Sequence, residues 1–530
     1  MSTRLRLAAL AVALPLALGG AASHAATPKD TVVIGWQLDS VLTFDPAESY
    51  EIQTQEFGTN IYDRLMRYEA EDPTKLVGGV AESWTVSPDA KTYTFKLRAN
   101  QKFADGAPVT ADDMAWSLQR VVILDKAPAF LFTQLGWTKD NVKTLVQATD
   151  PNTLTFKITE DFAPSLVLNL MSTYAASVVE KKVAMANEVN GDLGNAWLKN
   201  HSAASGPFTL VSWKPDESVT LEANPLYHLG APKIKRVVIR HIPEPSTQRL
   251  LLEKGDIDIA RDLTPDQLKP MEGNKDIRIE SFPGANNFYL GMNMSEEHMK
   301  NPKVREAMKY LVDYDGLVKT VLKGRFIVQQ TFLPIGFLGA IPYNPYKLDV
   351  AKAKALLAEA GYPNGFELEF TAPNLSPWTE ISQSVQQTMA QGGIKLKLVQ
   401  VELKQELAVF RARKHQLVLN SWAPDYFDPH SNADTFAHND DDGDTPKIKP
   451  LAWRTHYYIP EMTKLTLQAA KEIDTEKRKA EYAELQKKVT DEGPFVLMFQ
   501  NANQVAMRAD VKGFKTGLFE DFNFYRTITK

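Results

Sequence analysis

Helices and strands alternate along one stretch of the sequence, between Asp349 and Asn420. Apolar residues recur at helical spacing in three segments and at every second position in the strands between them. In chain order the segments are the helix Asp349–Ala360, the strand Phe366–Phe370, the helix Glu380–Gln391, the strand Ile394–Leu398, the helix Leu403–Arg413 and the strand Gln416–Asn420. Such a β-α-β-α-β series is typical of a parallel, doubly wound sheet and predicts an α/β fold.

A second segment, Ala81–Arg120, predicts a hairpin followed by a helix. Tyr93 and Phe95 alternate with polar residues, as in a half-buried strand. Thr110 stands at a helix N-cap position, and Asp113 follows three residues later, which is the spacing of a capping box. These local rules define structure here but no function.

Helix and strand signals continue outside these two segments. Further predicted strands are Val32–Ile34, Phe208–Trp213, Ser218–Glu222, Ile234–His241, Phe495–Phe499 and Gln504–Met507. Further predicted helices are Ser246–Lys254, a helix that begins at Pro302, and a long polar helix that Asp474 begins and Gly493 ends. A chain of 530 residues with so many elements should hold more than one core.

The N-terminus has the pattern of a secretory signal. Arg4 and Arg6 precede an apolar run, Leu7–Leu18, and small residues follow it. We expect cleavage after Ala25 or Ala26. The apolar run is too short for a membrane span, which needs about 20 residues. Because the chain has no cysteine to carry a lipid at the cleavage point, we expect a soluble periplasmic protein and not a lipoprotein.

Composition and motifs exclude several other classes of protein. The lack of cysteine excludes disulfides, thiol catalysis and thiolate metal sites. With 60 basic residues against 65 acidic ones and no basic run, the chain is a poor candidate for binding nucleic acid. There is no G-x-S-x-G, H-E-x-x-H, P-loop or G-x-G-x-x-G motif, so an enzyme is disfavoured.

Three histidines, His430, His438 and His456, are candidate metal ligands by residue type. Their spacings fit no helix-based ligand pair. The acidic run Asn439–Asp444 lacks the frame of a calcium loop. We interpret this region as a solvated surface loop with scattered histidines, and we expect no metal and no cofactor.

Seven segments, in order along the chain, resemble the bacterial extracellular solute-binding proteins of family 5, the peptide, nickel and opine receptors of ABC importers. They are Ala81–Arg120, Ser205–Phe208, Asn224–Tyr227, Gly255–Asp258, Val304–Ala307, Ala353–Pro363 and Trp422–Pro429. One such match would be weak evidence, but the ordered set covers nearly the whole chain after the signal.

This resemblance implies a two-lobed periplasmic-binding-protein fold of class II, with a hinge between the lobes and a subdomain inserted into the first. The predicted parts are a signal peptide at 1–25, a first lobe at 27–69, 199–282 and 505–530, an insert at 70–198 and a second lobe at 283–504. A protein of this class is expected to be a monomer.

The predicted ligand site begins where the strand Gln416–Asn420 ends, because ligands bind at the carboxyl ends of strands in open parallel sheets. In peptide-binding relatives, the aspartate that follows the tryptophan pairs with the α-amine of the peptide, and Asp425 matches that position. A buried cation needs such a carboxylate. The alternative is that Asp425 and Asp428 are turn residues bonded to their own backbone. We keep that alternative for Asp428, and Trp422 is either a cavity wall or core.

The sequence differs from some family members at the position that would bind the carboxylate end of a ligand. Some relatives that take longer peptides have an arginine three residues before the tryptophan, where this chain has Leu419. Arg411 and Arg413 lie in the preceding helix, and we expect both to be solvated. The remaining wall candidates are Asn420, Tyr426 and the two ends of the loop after the first strand, Ser40 and Tyr50.

The sequence therefore predicts a periplasmic receptor that captures a short peptide between two lobes and delivers it to an inner-membrane ABC permease. Three alternatives stay open. The ligand is an opine, a glutathione-like or a sugar-containing solute; or it is nickel or haem; or the protein is a secreted hydrolase.

Overall fold

The computed structural model describes residues 27–69, 72, 75–446, 448–519 and 523–530. The predicted signal peptide lies outside these residues. No helix in the described part of the chain is long and apolar enough to cross a membrane.

Strands and helices are numbered separately in chain order. The strands are Thr31–Trp36 (β1), Met66–Tyr68 (β2), Leu76–Gly78 (β3), Ala81–Val86 (β4), Thr92–Leu97 (β5), Val146–Asp150 (β6), Thr153–Lys157 (β7), Phe208–Lys214 (β8), Ser218–Ala223 (β9), Arg236–His241 (β10), Ile259–Ala260 (β11), Ile277–Met292 (β12), Phe326–Val328 (β13), Phe366–Pro373 (β14), Ile394–Val401 (β15), Leu417–Trp422 (β16) and Phe495–Arg508 (β17). The helices are Ile52–Ile61 (α1), Ala111–Leu124 (α2), Phe130–Thr133 (α3), Val142–Leu145 (α4), Pro164–Leu170 (α5), Lys181–Ala186 (α6), Asn195–Leu198 (α7), Pro245–Lys254 (α8), Pro265–Leu268 (α9), Pro302–Lys309 (α10), Tyr314–Lys319 (α11), Val350–Glu359 (α12), Trp378–Gly392 (α13), Leu403–Arg411 (α14), Pro429–Ala437 (α15), Leu451–Arg454 (α16), Pro460–Lys471 (α17) and Thr475–Glu492 (α18).

One large mixed sheet runs through both predicted lobes. Its strands lie in the order β15-β14-β16-β12-β17-β11-β1-β10-β9-β8, and β13 pairs with β17 beside this path. Because β14 pairs in parallel with both β15 and β16, the predicted β-α-β-α-β series is confirmed. The sheet as a whole is not purely parallel, since β12 and β17 run antiparallel to each other and to their outer neighbours.

The two strands predicted near the C-terminus are in fact one strand, β17. Polar residues at 500–504 interrupt the alternation, which is why the sequence suggested a break. Gln500 is nevertheless fully buried, and its amide Nε2 donates to the carbonyl of Gly284 at 2.8 Å. Its Oε1 accepts from the backbone N–H of Ile335 at 2.7 Å. The polar side chain is therefore satisfied inside the sheet, and the strand continues through it.

Strands β12 and β17 connect the two predicted lobes. They pair antiparallel along most of their length, and both predicted boundaries, 282/283 and 504/505, lie within this ladder. The register is irregular between Pro283 and Asn287. The connection is therefore made of two continuous strands. The boundaries themselves stay predictions, and the predicted ranges serve below as names for the lobes and the insert.

Separate apolar clusters fill the parts of the molecule. In the insert, Tyr93, Phe95 and Trp137 belong to one buried cluster with the β4–β5 hairpin and α2. Thr110 and Asp113 form a complete capping box at the start of α2, so the predicted hairpin and helix are confirmed. Other clusters lie mainly in the first lobe or mainly in the second.

A buried ion pair joins the first lobe to the insert. Arg120 in α2 donates two hydrogen bonds to the carboxylate of Asp45, both 2.6 Å long. The side chains are 1% and 0% exposed. Such a bidentate pair fixes the orientation of α2 against the loop that follows β1.

A second buried carboxylate, Glu56 in α1, ties together the three chain segments of the first lobe. It accepts from Arg261 at 2.7 Å, from the amide of Asn523 at 2.7 Å and from the hydroxyl of Tyr525 at 2.6 Å. These partners come from the middle and the last segment of the lobe. The first lobe is therefore complete only when all three segments are present.

Candidate functional site

Strand β16 and the loop after it place Asp425 at the junction of the lobes. β16 lies between β14 and β12, and it ends at Trp422. The backbone N–H of Asp425 donates to the hydroxyl of Ser431 in α15 at 2.8 Å. Asp428 caps α15, because its carboxylate accepts from the N–H of His430 at 2.9 Å. The loop is thus fixed to the start of α15, which holds the Asp425 carboxylate in place.

Tyr50 meets Asp425 from the other lobe. The Tyr50 hydroxyl donates to Oδ1 of Asp425 at 2.7 Å, across 375 residues of sequence. Both side chains are half-buried. Two residues predicted separately, one after β1 and one after β16, therefore come together at one point.

A cavity of about 220 Å³ lies beside this contact. Its wall comes from both lobes and from the connecting strands: Tyr50, Gln55, Gly284, Ala285, Asn286, Ala423, Pro424, Asp425, Asn501, Asn503, Leu518 and Phe519. A narrower cavity shares Tyr50, Gln55, Asp425 and Phe519 with it, and Tyr426 also lines that one. A concave site between two lobes, with few convergent polar groups, is the usual setting of a small-ligand site.

Asp425 has no cation partner among the residues that the structure describes. Burial raises the pKa of Asp425, the Tyr50 hydrogen bond opposes that rise, and the charge of Asp434 adds to it. No ion pair to Asp425 occurs among the described residues. A carboxylate that is partly desolvated and unpaired favours a positively charged ligand group at this point.

The other predicted wall residues are placed differently. Tyr426 is buried and lines the narrower cavity. Trp422 is half-buried against the second-lobe core, and its Nε1 finds no hydrogen-bond partner in the described part of the chain. Asn420 lines neither cavity, because its amide donates to both carboxylate oxygens of buried Glu406, at 2.9 and 3.1 Å. Ser40 also lines neither cavity.

The interpretation of Asp428 as a turn residue is consistent with its cap, but its main partner was missed. Arg478 donates to both oxygens of Asp428, at 2.7 and 2.9 Å, and the two side chains are 1% and 0% exposed. Asn169 of the insert also donates to Asp428, at 3.3 Å. Asp428 is therefore structural and supports the loop that carries Asp425.

The prediction of a solvated loop with scattered histidines is wrong for two of the three histidines. His430 and His438 are each 5% exposed. His430 lies in the first turn of α15, and His438 is the residue that follows its last turn. Asp434, between them, lies 2.6 Å from Nδ1 of His438 and 3.9 Å from Nε2 of His430. The ordinary i, i+4 spacing of a helix produces this arrangement. The histidines are therefore packed in the interior beside a carboxylate.

The prediction of a solvated Arg413 is also wrong. Its guanidinium stacks over the ring of Trp453 at 4.3 Å and pairs with Asp442. His456 contacts the same Asp442 at 2.9 Å. Arg411 is exposed, as predicted. Neither arginine lines the cavity beside Asp425.

One group of three possible metal ligands occurs among the described residues, formed by Asp39, Asp216 and His241, whose ligand atoms lie within 4.8 Å of one another. The backbone N–H of Leu38 donates to Nδ1 of His241 at 2.9 Å. A neutral ring that accepts at Nδ1 carries its proton on Nε2, so this histidine has no free lone pair for a metal. The arrangement does not favour a metal site.

Sequence reasoning missed several wall residues of the 220 Å³ cavity. Gln55 lies in α1, and Asn501 and Asn503 lie in the polar stretch of β17 between the two strands that the sequence predicts. That stretch was the available signal, since consecutive polar residues inside a strand need either partners or a wet surface.

The fold and the site define a class of protein. A mixed α/β sheet spans two lobes, and two continuous strands join them. A cavity between the lobes holds a carboxylate that has no ion pair among the described residues. These are the features of a solute receptor of the periplasmic-binding-protein type.

The chain belongs to the bacterial extracellular solute-binding proteins, family 5, whose family model matches residues 75–444. The probable D,D-dipeptide-binding periplasmic protein DdpA of Escherichia coli K12 is 32% identical over 515 residues, which cover 95% of each chain. The glutathione-binding protein GsiB of the same organism is 30% identical over 400 residues, which cover 75% of this chain and 74% of that one. The predicted family is thereby confirmed, and its members are binding proteins.

Solved structures agree on the fold. HbpA2 from Haemophilus parasuis matches with a TM-score of 0.80 at 23% identity, over 94% of this chain and 99% of that one. DppA from Helicobacter pylori, in complex with the peptide STSA, matches with a TM-score of 0.72 at 24% identity, over 94% and 98%. The predicted two-lobed fold of class II is therefore confirmed.

Proposed function

We propose that this protein is the periplasmic substrate-binding component of an ABC importer and that it captures a short peptide between its lobes. The observation that carries the proposal is the Asp425 carboxylate, unpaired among the described residues beside a cavity lined by both lobes. Its similarity to a probable D,D-dipeptide-binding protein supports a peptide as the ligand. Membership of this family supports delivery to an inner-membrane permease as part of the proposal.

The geometry suits the amino end of a peptide. An ammonium group that enters the cavity loses water, and Asp425 replaces that water with a charge-assisted hydrogen bond. Tyr50 holds one oxygen of the carboxylate, which leaves the second oxygen for the ligand. A ligand bound there contacts residues of both lobes, so binding favours the arrangement in which the lobes approach each other.

Asp425→Asn should weaken peptide binding about 10- to 100-fold, because hydrogen bonds to charged groups contribute about 1.5–3 kcal/mol. Calorimetric titration with dipeptides and tripeptides measures the change. Asp315→Asn, at an exposed carboxylate on α11, is the matched control and should bind like the wild type. N-acetylated peptides have no ammonium group, so they should bind the wild type weakly. Their affinity should fall little further in Asp425→Asn.

The same variant separates ligand binding from a structural role. Because burial raises the pKa of Asp425, its charge opposes folding near neutral pH. Asp425→Asn should therefore melt at the same temperature as the wild type, or slightly higher. Equal peptide affinity in the two proteins would refute the anchor. A large drop in melting temperature would instead assign Asp425 to the structure.

Acidification should weaken peptide binding at a higher pH than an ordinary aspartate would require. Burial raises the pKa of Asp425, so the carboxylate is neutralised as the pH falls through that raised value, while the ligand ammonium stays charged. Affinity measured at a series of pH values below 7 should fall in the wild type and stay nearly flat in Asp425→Asn. Tyr50→Phe should move the fall to higher pH, because it removes the hydrogen bond that lowers this pKa.

Glutathione is a second candidate ligand, favoured by the 30% identity to glutathione-binding proteins. It carries a free amine like a peptide, so Asp425 would serve it equally. Titration of glutathione beside dipeptides of similar size distinguishes the two ligands directly. The ligand that binds with the higher affinity identifies the ligand class.

A further inference from the structure

A second cavity lies between the lobes, on the open edge of the connecting strand β17. Its volume is about 370 Å³. β13 of the second lobe pairs with β17 at 499–501, and β11 of the first lobe pairs with it at 506–507. The cavity occupies the gap between these two partners, and Trp36, Arg261, Arg325, Asn503 and Gln504 are among its lining residues. It is thus bounded by both lobes, like the cavity beside Asp425.

Arg325 is held firmly at this cavity by its backbone. Gly324 has φ = 76°, and a Cβ there would lie 2.5 Å from Nε2 of Gln504, so the turn before Arg325 is pressed against β17. The carbonyl of Arg325 accepts from the N–H of Ala502 at 2.6 Å. The side chain therefore starts from a fixed position at the mouth of the gap.

The guanidinium of Arg325 is half-buried and has no ion pair or hydrogen bond among the described residues. Burial lowers the pKa of Arg325, and the negative charge of Glu380 opposes this effect. An arginine stays charged under such conditions. The cavity wall therefore carries a cation that forms no ion pair with the described residues.

The other charged groups of the cavity already have partners. Arg261 pairs with Glu56 at 2.7 Å and lies over the ring of Trp36 at 4.2 Å. Asp262 accepts from the N–H of Gln37 at 2.7 Å, and so turns toward its own lobe. Among the described residues that line this cavity, Arg325 is therefore the cation without a hydrogen-bonded carboxylate.

Asn503 connects the two cavities. Its side chain lines both the cavity beside Asp425 and the cavity beside Arg325. Its Oδ1 accepts from Asn501 at 3.1 Å, which leaves its two amide hydrogens for other acceptors. An extended ligand can pass this side chain with a peptide carbonyl facing the amide.

We propose that Arg325 binds the carboxylate of the ligand whose ammonium group lies at Asp425. The inference rests on the proposed function and narrows it to zwitterionic, extended solutes with both a free amine and a free carboxylate, such as unmodified short peptides. Some relatives bind the ligand carboxylate with an arginine at the position where this chain has Leu419. In this proposal, Arg325 provides that positive charge instead. Because both lobes line this cavity, a ligand carboxylate bound there contacts both lobes at once.

The test compares peptides of two to five residues as free acids and as C-terminal amides, titrated by calorimetry. In the wild type the acid should bind about 10- to 100-fold more tightly than the amide, the range of a charge-assisted hydrogen bond. Arg325→Gln should lose that factor for the acid and bind acid and amide alike. Arg325→Lys should restore part of the preference, because it restores the charge.

Arg411→Gln, at an exposed arginine of α14, is the matched control and should keep the full preference for the acid. If the wild type binds acid and amide equally, or if Arg325→Gln keeps the preference, Arg325 does not hold the carboxylate, although peptide binding itself stands. If no peptide binds the wild type in either form, the proposed function fails and this inference fails with it. A melting temperature equal to that of the wild type shows that Arg325→Gln is folded.

Discussion

Asp45→Ala is expected to lower the free energy of unfolding by about 3–5 kcal/mol, the cost of removing one partner from a buried ion pair. The Arg120 guanidinium would remain in the interior, 1% exposed, without the carboxylate that now accepts two of its hydrogen bonds. Asn195 would also lose a partner 2.6 Å away. Urea unfolding followed by tryptophan fluorescence measures the change, and the contact between first lobe and insert should be lost first.

Two controls interpret that result. The double variant Asp45→Ala, Arg120→Met should recover part of the loss, because no unpaired charge stays buried. Glu217→Ala removes an exposed partner of Lys214 and should change stability by no more than about 1 kcal/mol. If Asp45→Ala is as mild as Glu217→Ala, the Asp45–Arg120 pair does not hold the insert in place.

Asp428→Asn should lower the free energy of unfolding by about 3–5 kcal/mol as well, because Arg478 would then be buried without a counter-charge. Burial alone would raise the pKa of Asp428, but the Arg478 guanidinium outweighs it and holds the pKa below its ordinary value. The stability that this carboxylate contributes is therefore complete above the ordinary aspartate pKa, and it is lost as the pH falls through the lowered value. Thermal melts between pH 3 and 7 should show the difference between wild type and variant shrinking toward the acid end.

The control for Asp428 is another helix cap. Asp474 caps α18 through the N–H of Lys477 at 2.8 Å, but its carboxylate is exposed and forms no ion pair with an arginine among the described residues. Asp474→Asn keeps most of the cap and should cost less than about 1 kcal/mol. Equal losses in the two variants would mean that Asp428 acts as a cap alone and that the pair with Arg478 adds nothing.

Local patterns in the sequence were enough to predict most of the elements. The alternation of Phe366, Leu368 and Phe370, and the caps at Thr110 and Asp349, depend on neighbours a few residues away, and the structure has them as predicted. β17 was split because Gln500 is polar, and its partners Gly284 and Ile335 are far away in sequence. A buried polar side chain can be recognised as satisfied only when the tertiary partners are known.

Asp425 follows from the tryptophan-aspartate motif and Tyr50 from the loop after the first strand. The structure brings these two side chains into contact, while their part in ligand binding stays a prediction. Asn420 was expected at the wall because it ends a strand, but alternation along β16 turns its amide to Glu406. Arg325 carries no sequence signal of its own, since its position depends on the pairing of β13 with β17. The role proposed for it rests on the gap between the lobes.

The contacts of Glu56 also affect the order in which the parts of the chain fold during synthesis. Glu56 and Tyr525 are separated by 469 residues, yet they share one buried hydrogen bond. A chain that emerges from its N-terminus exposes α1 long before its partners exist, so the first lobe cannot finish folding until the final residues have arrived. The insert depends on nearer contacts and can form earlier. The first lobe is therefore completed only after the segment around Tyr525 has been synthesised, and so later than the insert.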